Sequence, residues 1–269
     1  MFLRLHSYER PHDMAQALDL LARPGARLLA GGTATVGPVD DKTTMLVDLA
    51  GLGLHYMRTE PGSMVVGAMT PLEELMLAPD LMFLGGGTLV QAVERTAPPT
   101  TLVRATIGGA LARPDRAPEL AAVLLALDAR VDVIHQERHQ WDLPTLFSRL
   151  PLQQTIIEAV RIPTTPMVVA VERVARTPRD IPAVTVVAAL RNSSEVRLAA
   201  AGLSPLPRRF NATEGVPLTP HRIDQVAAAV AATVEPPADV RGSSRYRTHL
   251  AGVLTRRALL AASGLQGRM

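Results

Sequence analysis

Two short glycine-rich segments are the part of this sequence best suited to binding a ligand. The first, Leu28–Thr33, ends in Gly-Gly-Thr, and the second, Ala105–Gly109, ends in Thr-Ile-Gly-Gly. Glycines in such turns can adopt positive φ and let another group approach the backbone closely. Consecutive N–H groups of the turn then form a concavity that suits an anion such as a phosphate. One such segment is typical of an ordinary tight turn, whereas two that both follow apolar runs favour a diphosphate held between them.

Two further groups of polar residues each have more than one interpretation. His135, Glu137 and His139 superficially resemble a zinc-binding helix motif, but the glutamate is in the wrong place and the segment is typical of a hairpin turn. Glu119 begins a predicted helix shortly after the second glycine segment. A carboxylate there would either complement the helix dipole or accept hydrogen bonds from hydroxyl groups of a ligand, and both interpretations stay open.

Composition excludes several classes of protein. The chain has no cysteine, which rules out disulfides, cysteine catalysis and an iron–sulfur cluster of its own. A net charge of +3 with scattered cations, and only 3% aromatic residues, argue against a nucleic-acid surface. Gly-x-Ser-x-Gly, Walker and Gly-x-Gly-x-x-Gly motifs do not occur. A hydrophobic content of 47% without a signal peptide or membrane-spanning run predicts a soluble, cytoplasmic protein.

Apolar periodicity predicts an α/β chain followed by an α+β region. The predicted strands of the first part are 2–6, 27–30, 45–49, 63–68, 130–134 and 140–143, and its helices are 14–21, 71–78, 89–96 and 119–127. After Pro166, three strands at 167–173, 183–191 and 194–200 are predicted to form an antiparallel meander. Two helices, 220–233 and 246–263, end the chain, and Ser243 is suited to capping the second.

Eight segments, in order over almost the whole chain, resemble those of the FAD-binding (medium) subunit of molybdenum hydroxylases. This family includes the medium subunit of aerobic carbon monoxide dehydrogenase and the flavin domain of xanthine dehydrogenase. Any one segment is unspecific, but eight in register are a strong resemblance. They are Tyr8–Pro11, Leu29–Thr33, Val66–Thr70, Arg104–Gly109, Leu124–Ala129, Arg161–Pro163, Arg179–Ile181 and Arg241–Arg247.

The resemblance implies a fold and a set of cofactor contacts. The fold would be the two-subdomain FAD-binding fold of the vanillyl-alcohol-oxidase (PCMH) type over residues 1–163, with subdomains at about 1–54 and 55–163. A small C-terminal domain, 164–269, would hold a three-stranded antiparallel sheet and helices. Glu119 falls where the family has an aspartate near the ribityl chain, and Ile157 where an aliphatic side chain packs by the ring. The implied pyrophosphate contacts are Ala30, Gly31, Gly32, Thr33, Ala34, Thr106, Gly108 and Gly109.

The resemblance also implies a function without a catalytic side chain or a metal ligand on this chain. Non-covalent FAD would collect electrons from an iron–sulfur subunit, which receives them from a molybdopterin subunit, and would pass them to an external acceptor. The chain would be an oxidoreductase subunit, active only within a hetero-oligomeric complex.

Several residues depart from the family's pattern around the expected ligand. Ala170 and Glu172 stand where the family has an aromatic residue and a lysine near the isoalloxazine ring, and Ala34, Val103 and Ala110 replace other usual residues. These departures leave a second interpretation open, a structural subunit of such a complex that has kept the fold and lost the flavin. The intact glycine pairs favour the flavoprotein.

Overall fold

The computed structural model describes residues 5–34, 43–192, 195–214 and 217–265, which contain both strands and helices. None of the helices in these ranges combines the length and apolar character needed to cross a membrane. In chain order the elements are β1 (Ser7–Glu9), α1 (Met14–Leu21), β2 (Ala26–Leu29), β3 (Met45–Asp48), β4 (Met57–Glu60), β5 (Ser63–Gly67), α2 (Leu72–Leu77), α3 (Pro79–Met82), α4 (Thr88–Thr96), α5 (Pro99–Leu102), α6 (Ile107–Ala112), α7 (Pro118–Ala126), β6 (Arg130–His135), β7 (Glu137–Asp142), α8 (Leu143–Ser148), β8 (Ile156–Pro163), β9 (Val168–Val174), β10 (Val184–Asn192), β11 (Glu195–Ala201), β12 (Arg208–Glu214), α9 (Pro220–Ala232) and α10 (Ser244–Ser263).

A small parallel sheet in the order β1-β3-β2 carries the first glycine segment at the end of β2. Helix α1 makes the crossover that parallel strands require. Asp13 caps this helix by accepting a hydrogen bond from the Gln16 N–H, and Ala17 and Leu20 bury its apolar side. The first strand begins at Ser7, later than the predicted 2–6, of which residues 2–4 lie outside the described residues.

A five-stranded antiparallel sheet, in the order β4-β5-β8-β6-β7, forms the middle of the molecule. Its β6–β7 hairpin confirms the predicted turn, with His135 and His139 on opposite strands. On the central strand β8, Arg161 pairs with Asp132 of the neighbouring strand β6 at 2.8 Å and, across β5, with Glu60 at the end of β4 at 2.6 Å. Charges on this face therefore stabilise strand neighbours that are far apart in sequence.

The C-terminal region holds a four-stranded antiparallel sheet, β12-β11-β10-β9, where three strands were predicted. The missed strand is β12, whose residues pair with β11 in the register Ala200↔Arg208 and Leu198↔Phe210. Its sequence, Arg-Arg-Phe-Asn-Ala-Thr-Glu, lacks an apolar alternation because an edge strand is held mainly by backbone hydrogen bonds to its single neighbour. The prediction of a three-stranded sheet was therefore wrong.

Helices cover both faces of this four-stranded sheet. Helix α10 packs on one face with α9 against it, and α7, which is buried from Glu119 to Ala126, packs on the other face and shares a hydrophobic cluster with the five-stranded sheet. Helix α10 begins at the predicted serine cap, because the Ser243 hydroxyl accepts a hydrogen bond from the Tyr246 N–H. Helix α7 is apolar on all sides after Glu119, and a helix of this kind is stable only when it is buried between two layers. It therefore joins the middle and C-terminal sheets into one core.

Candidate cofactor site

A cavity of about 460 Å³ lies where the first glycine segment meets the second. Its walls come from β2 and the loop after it, from α6 and the residues on either side, from β8, and from the loop before β10. The wall is mainly apolar with a few polar groups, and its size falls within the range of small-molecule and cofactor sites.

Nine of the ten residues predicted to contact a cofactor line this cavity, although they come from three separate elements of the chain. Glu119 is the exception and is not among the residues of the wall. The nine are Ala30, Gly31, Gly32, Thr33, Ala34, Thr106, Gly108, Gly109 and Ile157. Their contact with FAD itself stays a prediction.

The first glycine segment needs its two glycines for different reasons. A Cβ on Gly31 would lie 1.6 Å from the carbonyl oxygen of Arg104, so only glycine allows this loop to touch the chain that precedes the second segment. Gly32 has φ +77°, in the left-handed region that favours glycine. The first glycine therefore brings the two loops together, and the second turns the chain.

The turn made by the first segment leaves consecutive amides available to a ligand. The N–H groups of Gly31, Gly32 and Thr33 donate no hydrogen bond to any group in the ranges that the structure describes. These residues line the cavity, and adjacent unbonded N–H groups in a turn form the concavity that binds anions. This segment therefore has the backbone chemistry predicted for it.

The second segment uses its amides internally. The Ile107 and Gly108 N–H groups donate to the carbonyl oxygens of Thr70 and Ala68, at 3.1 and 3.0 Å. The Gly109 N–H donates to the Thr106 hydroxyl oxygen at 3.2 Å, which leaves the hydroxyl proton of Thr106 to donate elsewhere. A Cβ on Gly108 would lie 2.7 Å from the Ala68 Cβ. This segment thus offers the cavity a hydroxyl group and close approach at Gly109, but not the row of free amides expected from its sequence.

Three arginines that sequence reasoning did not select also line the cavity: Arg27, Arg113 and Arg116. Arg113 donates two hydrogen bonds to the Asp115 carboxylate, at 3.0 and 2.9 Å, and these lower the pKa of Asp115. Arg27 makes no ion pair with a carboxylate of the described residues. One signal in the sequence was available, because an arginine inside the short apolar strand before the glycines places a cation beside the loop.

Glu119 lies outside the cavity wall in a buried cluster of charges. Its side chain is 5% exposed, and its two oxygens contact two different arginines. Oε1 accepts a hydrogen bond from Arg95 Nη1 at 2.9 Å, and Oε2 lies 2.6 Å from Arg173 Nε. We refer to Glu119, Arg95 and Arg173 as the Glu119 cluster.

Of the five residues that depart from the family's pattern, some line the cavity and others do not. Ala34 and Ala110 are part of the cavity wall, whereas Val103, Ala170 and Glu172 are not. Val103 is 43% exposed. Two of the five departures therefore belong to the cavity wall, and the nearness of all five to FAD stays a prediction.

Comparison with known proteins gives the family. A family model described as the FAD binding domain in molybdopterin dehydrogenase matches residues 3–165, more than half of the chain. The chain belongs to this family. A second model, described as the CO dehydrogenase flavoprotein C-terminal domain, matches residues 170–262. Family membership makes FAD the cofactor and places this family member among the subunits of oxidoreductases.

Individual relatives match over nearly their whole length. The carbon monoxide dehydrogenase medium chain of Hydrogenophaga pseudoflava is 27% identical over 278 residues, which cover 95% of this chain and 96% of that one. The putative xanthine dehydrogenase FAD-binding subunit XdhB of Escherichia coli K12 is 27% identical, with 97% of both chains covered. A solved structure of carbon monoxide dehydrogenase from Hydrogenophaga pseudoflava superimposes with a TM-score of 0.86 at 25% identity, covering 97% of this chain and 98% of that chain. The fold is thus shared from end to end.

Proposed function

We propose that this family member is the FAD-binding electron-transfer subunit of a molybdopterin-dependent hydroxylase or dehydrogenase. It would receive electrons from an iron–sulfur subunit and pass them to an external acceptor. The observation that carries the proposal is the meeting of the two glycine segments in one cavity, with three unbonded amides in the first. Two segments far apart in sequence have no need to meet at a cavity if each is an ordinary turn.

Each of the two segments would contact the pyrophosphate with different groups. The N–H groups of Gly31, Gly32 and Thr33 would donate to phosphate oxygens, and the Thr106 hydroxyl would donate from the opposite side. Gly109 would allow the phosphate to approach the backbone closely. Arg27, on β2 four residues before Gly31, also lines the cavity and would add positive charge near the free amides.

The rest of the wall suits the uncharged parts of the cofactor. Ile157, on the central strand β8, is 6% exposed and presents an aliphatic surface for a flavin ring. Bound FAD supplies the redox chemistry, and the chain supplies its binding, its orientation and its shielding from water.

The described wall of the cavity contains no carboxylate and no histidine. A site that only transfers electrons needs no acid or base, whereas substrate oxidation by this chain alone would need one. Because the chain also has no cysteine, an iron–sulfur cluster must come from another subunit. We therefore propose an iron–sulfur subunit and a molybdopterin subunit as partners, in the cytoplasm. We also propose the domain division predicted from the sequence, 1–163 and 164–269.

The first test is to identify the chromophore of the purified protein. We expect denaturation to release all of the flavin as FAD, because no histidine or cysteine lines the described cavity to form a covalent link. Filtration after acid treatment, followed by chromatography of the filtrate, measures this. Flavin retained by the protein, or FMN alone, would contradict the proposal.

Titration of the apoprotein with FAD in a calorimeter is the second arm of this test. We expect micromolar binding or tighter, about −8 kcal/mol or better. No heat and no quenching of flavin fluorescence at high FAD concentration would instead favour the structural subunit without flavin.

A further inference from the structure

Glu119 connects three parts of the chain that each reach the wall of the cavity. Arg95, its first partner, immediately precedes Thr96, and Arg173, its second partner, is bonded to the loop that carries Ile181. Ala117 lies just before Glu119 itself. Thr96, Ala117 and Ile181 all line the cavity. The Glu119 cluster is therefore placed directly behind the wall.

Arg173 connects this cluster to the loop of residues 175–182, between β9 and β10. Its Nη1 donates to the Pro178 carbonyl oxygen at 3.0 Å, and its Nη2 donates to the Asp180 carbonyl oxygen at 2.8 Å. The third side of the same guanidinium faces Glu119, as an ion pair and not as an aligned hydrogen bond. A planar guanidinium can serve three partners in this way, whereas an ammonium group cannot hold the same geometry.

A contribution to folding stability does not by itself explain why these charges are buried together. Burying ions costs desolvation energy, and a buried ion pair is often no better for stability than apolar residues of similar size. The two carbonyl oxygens that Arg173 contacts belong to the loop, and Ile181, the next residue after Asp180, is the loop's only contribution to the described wall. The Glu119 cluster therefore fixes the position of the 175–182 loop relative to the cavity.

We propose that Glu119 and Arg173 are positioning residues that hold the 175–182 loop against the cavity, so that Ile181 forms part of its wall. Glu119 then acts from behind the wall and does not contact the ribityl chain of FAD. The part of this inference that concerns FAD rests on the proposed function, whereas the position of the loop does not.

Limited proteolysis tests the position of the loop without FAD. Arg176 and Arg179 are exposed and lie within the loop, so trypsin can report its opening through cleavage after either residue. We expect Glu119→Gln and Arg173→Lys to raise the rate of these cleavages about tenfold, which corresponds to about 1.4 kcal/mol of loop opening. Mass spectrometry of the early fragments assigns each cleavage to its site.

Arg95→Gln is the matched control. It removes the other ion pair of Glu119 and leaves both hydrogen bonds from Arg173 to the loop in place. We expect it to change the loop cleavage less than twofold, while thermal unfolding shows that all three variants are folded. The proposal would be overturned if the loop of Arg95→Gln were cleaved as fast as that of Arg173→Lys. It would also be overturned if Glu119→Gln, or Arg173→Lys, were cleaved no faster than the parent.

A second measurement uses FAD-loaded protein. Iodide should quench the flavin fluorescence of Glu119→Gln and Arg173→Lys more strongly than that of the parent and of Arg95→Gln, because the loop no longer shields the cavity. Equal quenching in all four proteins would overturn the shielding role. Failure of the parent to bind FAD would contradict the proposed function, and the cleavage rates of the apoprotein would still decide the position of the loop.

Discussion

Single residues in the two glycine segments have separate physical roles. Gly31 is required by a backbone contact, Gly32 by its positive φ, and Gly108 by packing against Ala68. Gly109 is the least restricted of the four, since its Cβ would meet only the Thr106 hydroxyl, at 3.0 Å. Substitutions at Gly32 and Gly109 therefore test cofactor binding, whereas substitutions at Gly31 and Gly108 test the fold.

We expect Gly32→Asp and Gly109→Asp to lower the affinity for FAD by about 100-fold or more, because each places a carboxylate beside the pyrophosphate. Position 109 lies in the first turn of α6, where a carboxylate is favourable for the helix. Asp tolerates the left-handed conformation of position 32 at a cost of about 1 kcal/mol. Calorimetric titration measures the affinity, and circular dichroism checks the fold.

Gly62→Asp is the control for this pair. Gly62 has the same φ as Gly32, +77°, and no atom lies within 4 Å of the position of its Cβ. It also lies outside the cavity wall. This variant carries the same strain and the same charge, so it should bind FAD like the parent. Parent-like binding by Gly32→Asp or Gly109→Asp would mean that the segments are ordinary turns.

At the scale of elements, the start of α10 is held by a cluster of charges around Asp239. The Asp239 carboxylate accepts hydrogen bonds from Arg241 and from the buried Arg247 of α10, whose Nη1 also donates to the Gly202 carbonyl oxygen at 3.2 Å. The Arg241 guanidinium, helped by its N–H and by Arg247, holds the pKa of Asp239 well below its usual range, against the opposing effect of burial. This cluster fastens the segment before the helix to the four-stranded sheet.

A lowered pKa in the folded state predicts acid sensitivity. The stabilisation by Asp239 is complete above the pKa of an unfolded aspartate, about 4, and decreases as the pH falls toward the folded pKa. We expect Asp239→Asn to be less stable than the parent at neutral pH, and the difference in unfolding free energy to shrink by about 1 kcal/mol between about pH 6 and pH 3.

Urea unfolding at several pH values measures this difference. Asp19→Asn, at an exposed carboxylate of α1 without an ion pair in the described ranges, is the control and should track the parent at every pH. A pH-independent difference between Asp239→Asn and the parent would show that the Asp239 charge does not stabilise the start of α10.

At the scale of the whole molecule, the proposed electron-transfer role requires partner subunits that supply the substrate site and the iron–sulfur cluster. We expect affinity purification of the tagged chain from its native host to recover a small cysteine-rich subunit and a large subunit. Metal analysis of that complex should find iron and molybdenum. The chain purified alone should contain neither metal and should reduce no acceptor with the substrate of the complex.

The opposite result is equally measurable. A monomer that turns over a small-molecule substrate with oxygen would contradict an electron-transfer subunit and would favour an independent flavin oxidase. Purification under low and high salt separates specific partners from charged contaminants, because weak surface contacts are screened by salt.

The sequence by itself was sufficient for the family and for the two glycine segments of the cavity wall. Gly-Gly-Thr after an apolar strand and Thr-x-Gly-Gly before a helix are local patterns, and their conformations depend mainly on the glycines themselves. Eight of the nine predicted residues that line the cavity lie in or next to these segments, and the ninth, Ile157, was implied by the family resemblance. Helices with clear apolar periodicity and caps, such as α1 and α10, were also predictable because their signals lie within a few residues.

Tertiary structure alone decided what depends on partners distant in the chain. The amides of the second segment are used up by the Ala68 and Thr70 carbonyl oxygens at the end of β5, a pairing that no local pattern encodes. Strand β12 is recognised only by its pairing with β11. Glu119 has a helix-start position in the sequence, but its partners Arg95 and Arg173 come from two other elements and direct it away from the cavity wall. A buried carboxylate must be paired with a nearby cation, and only the folded chain determines which cations are near it.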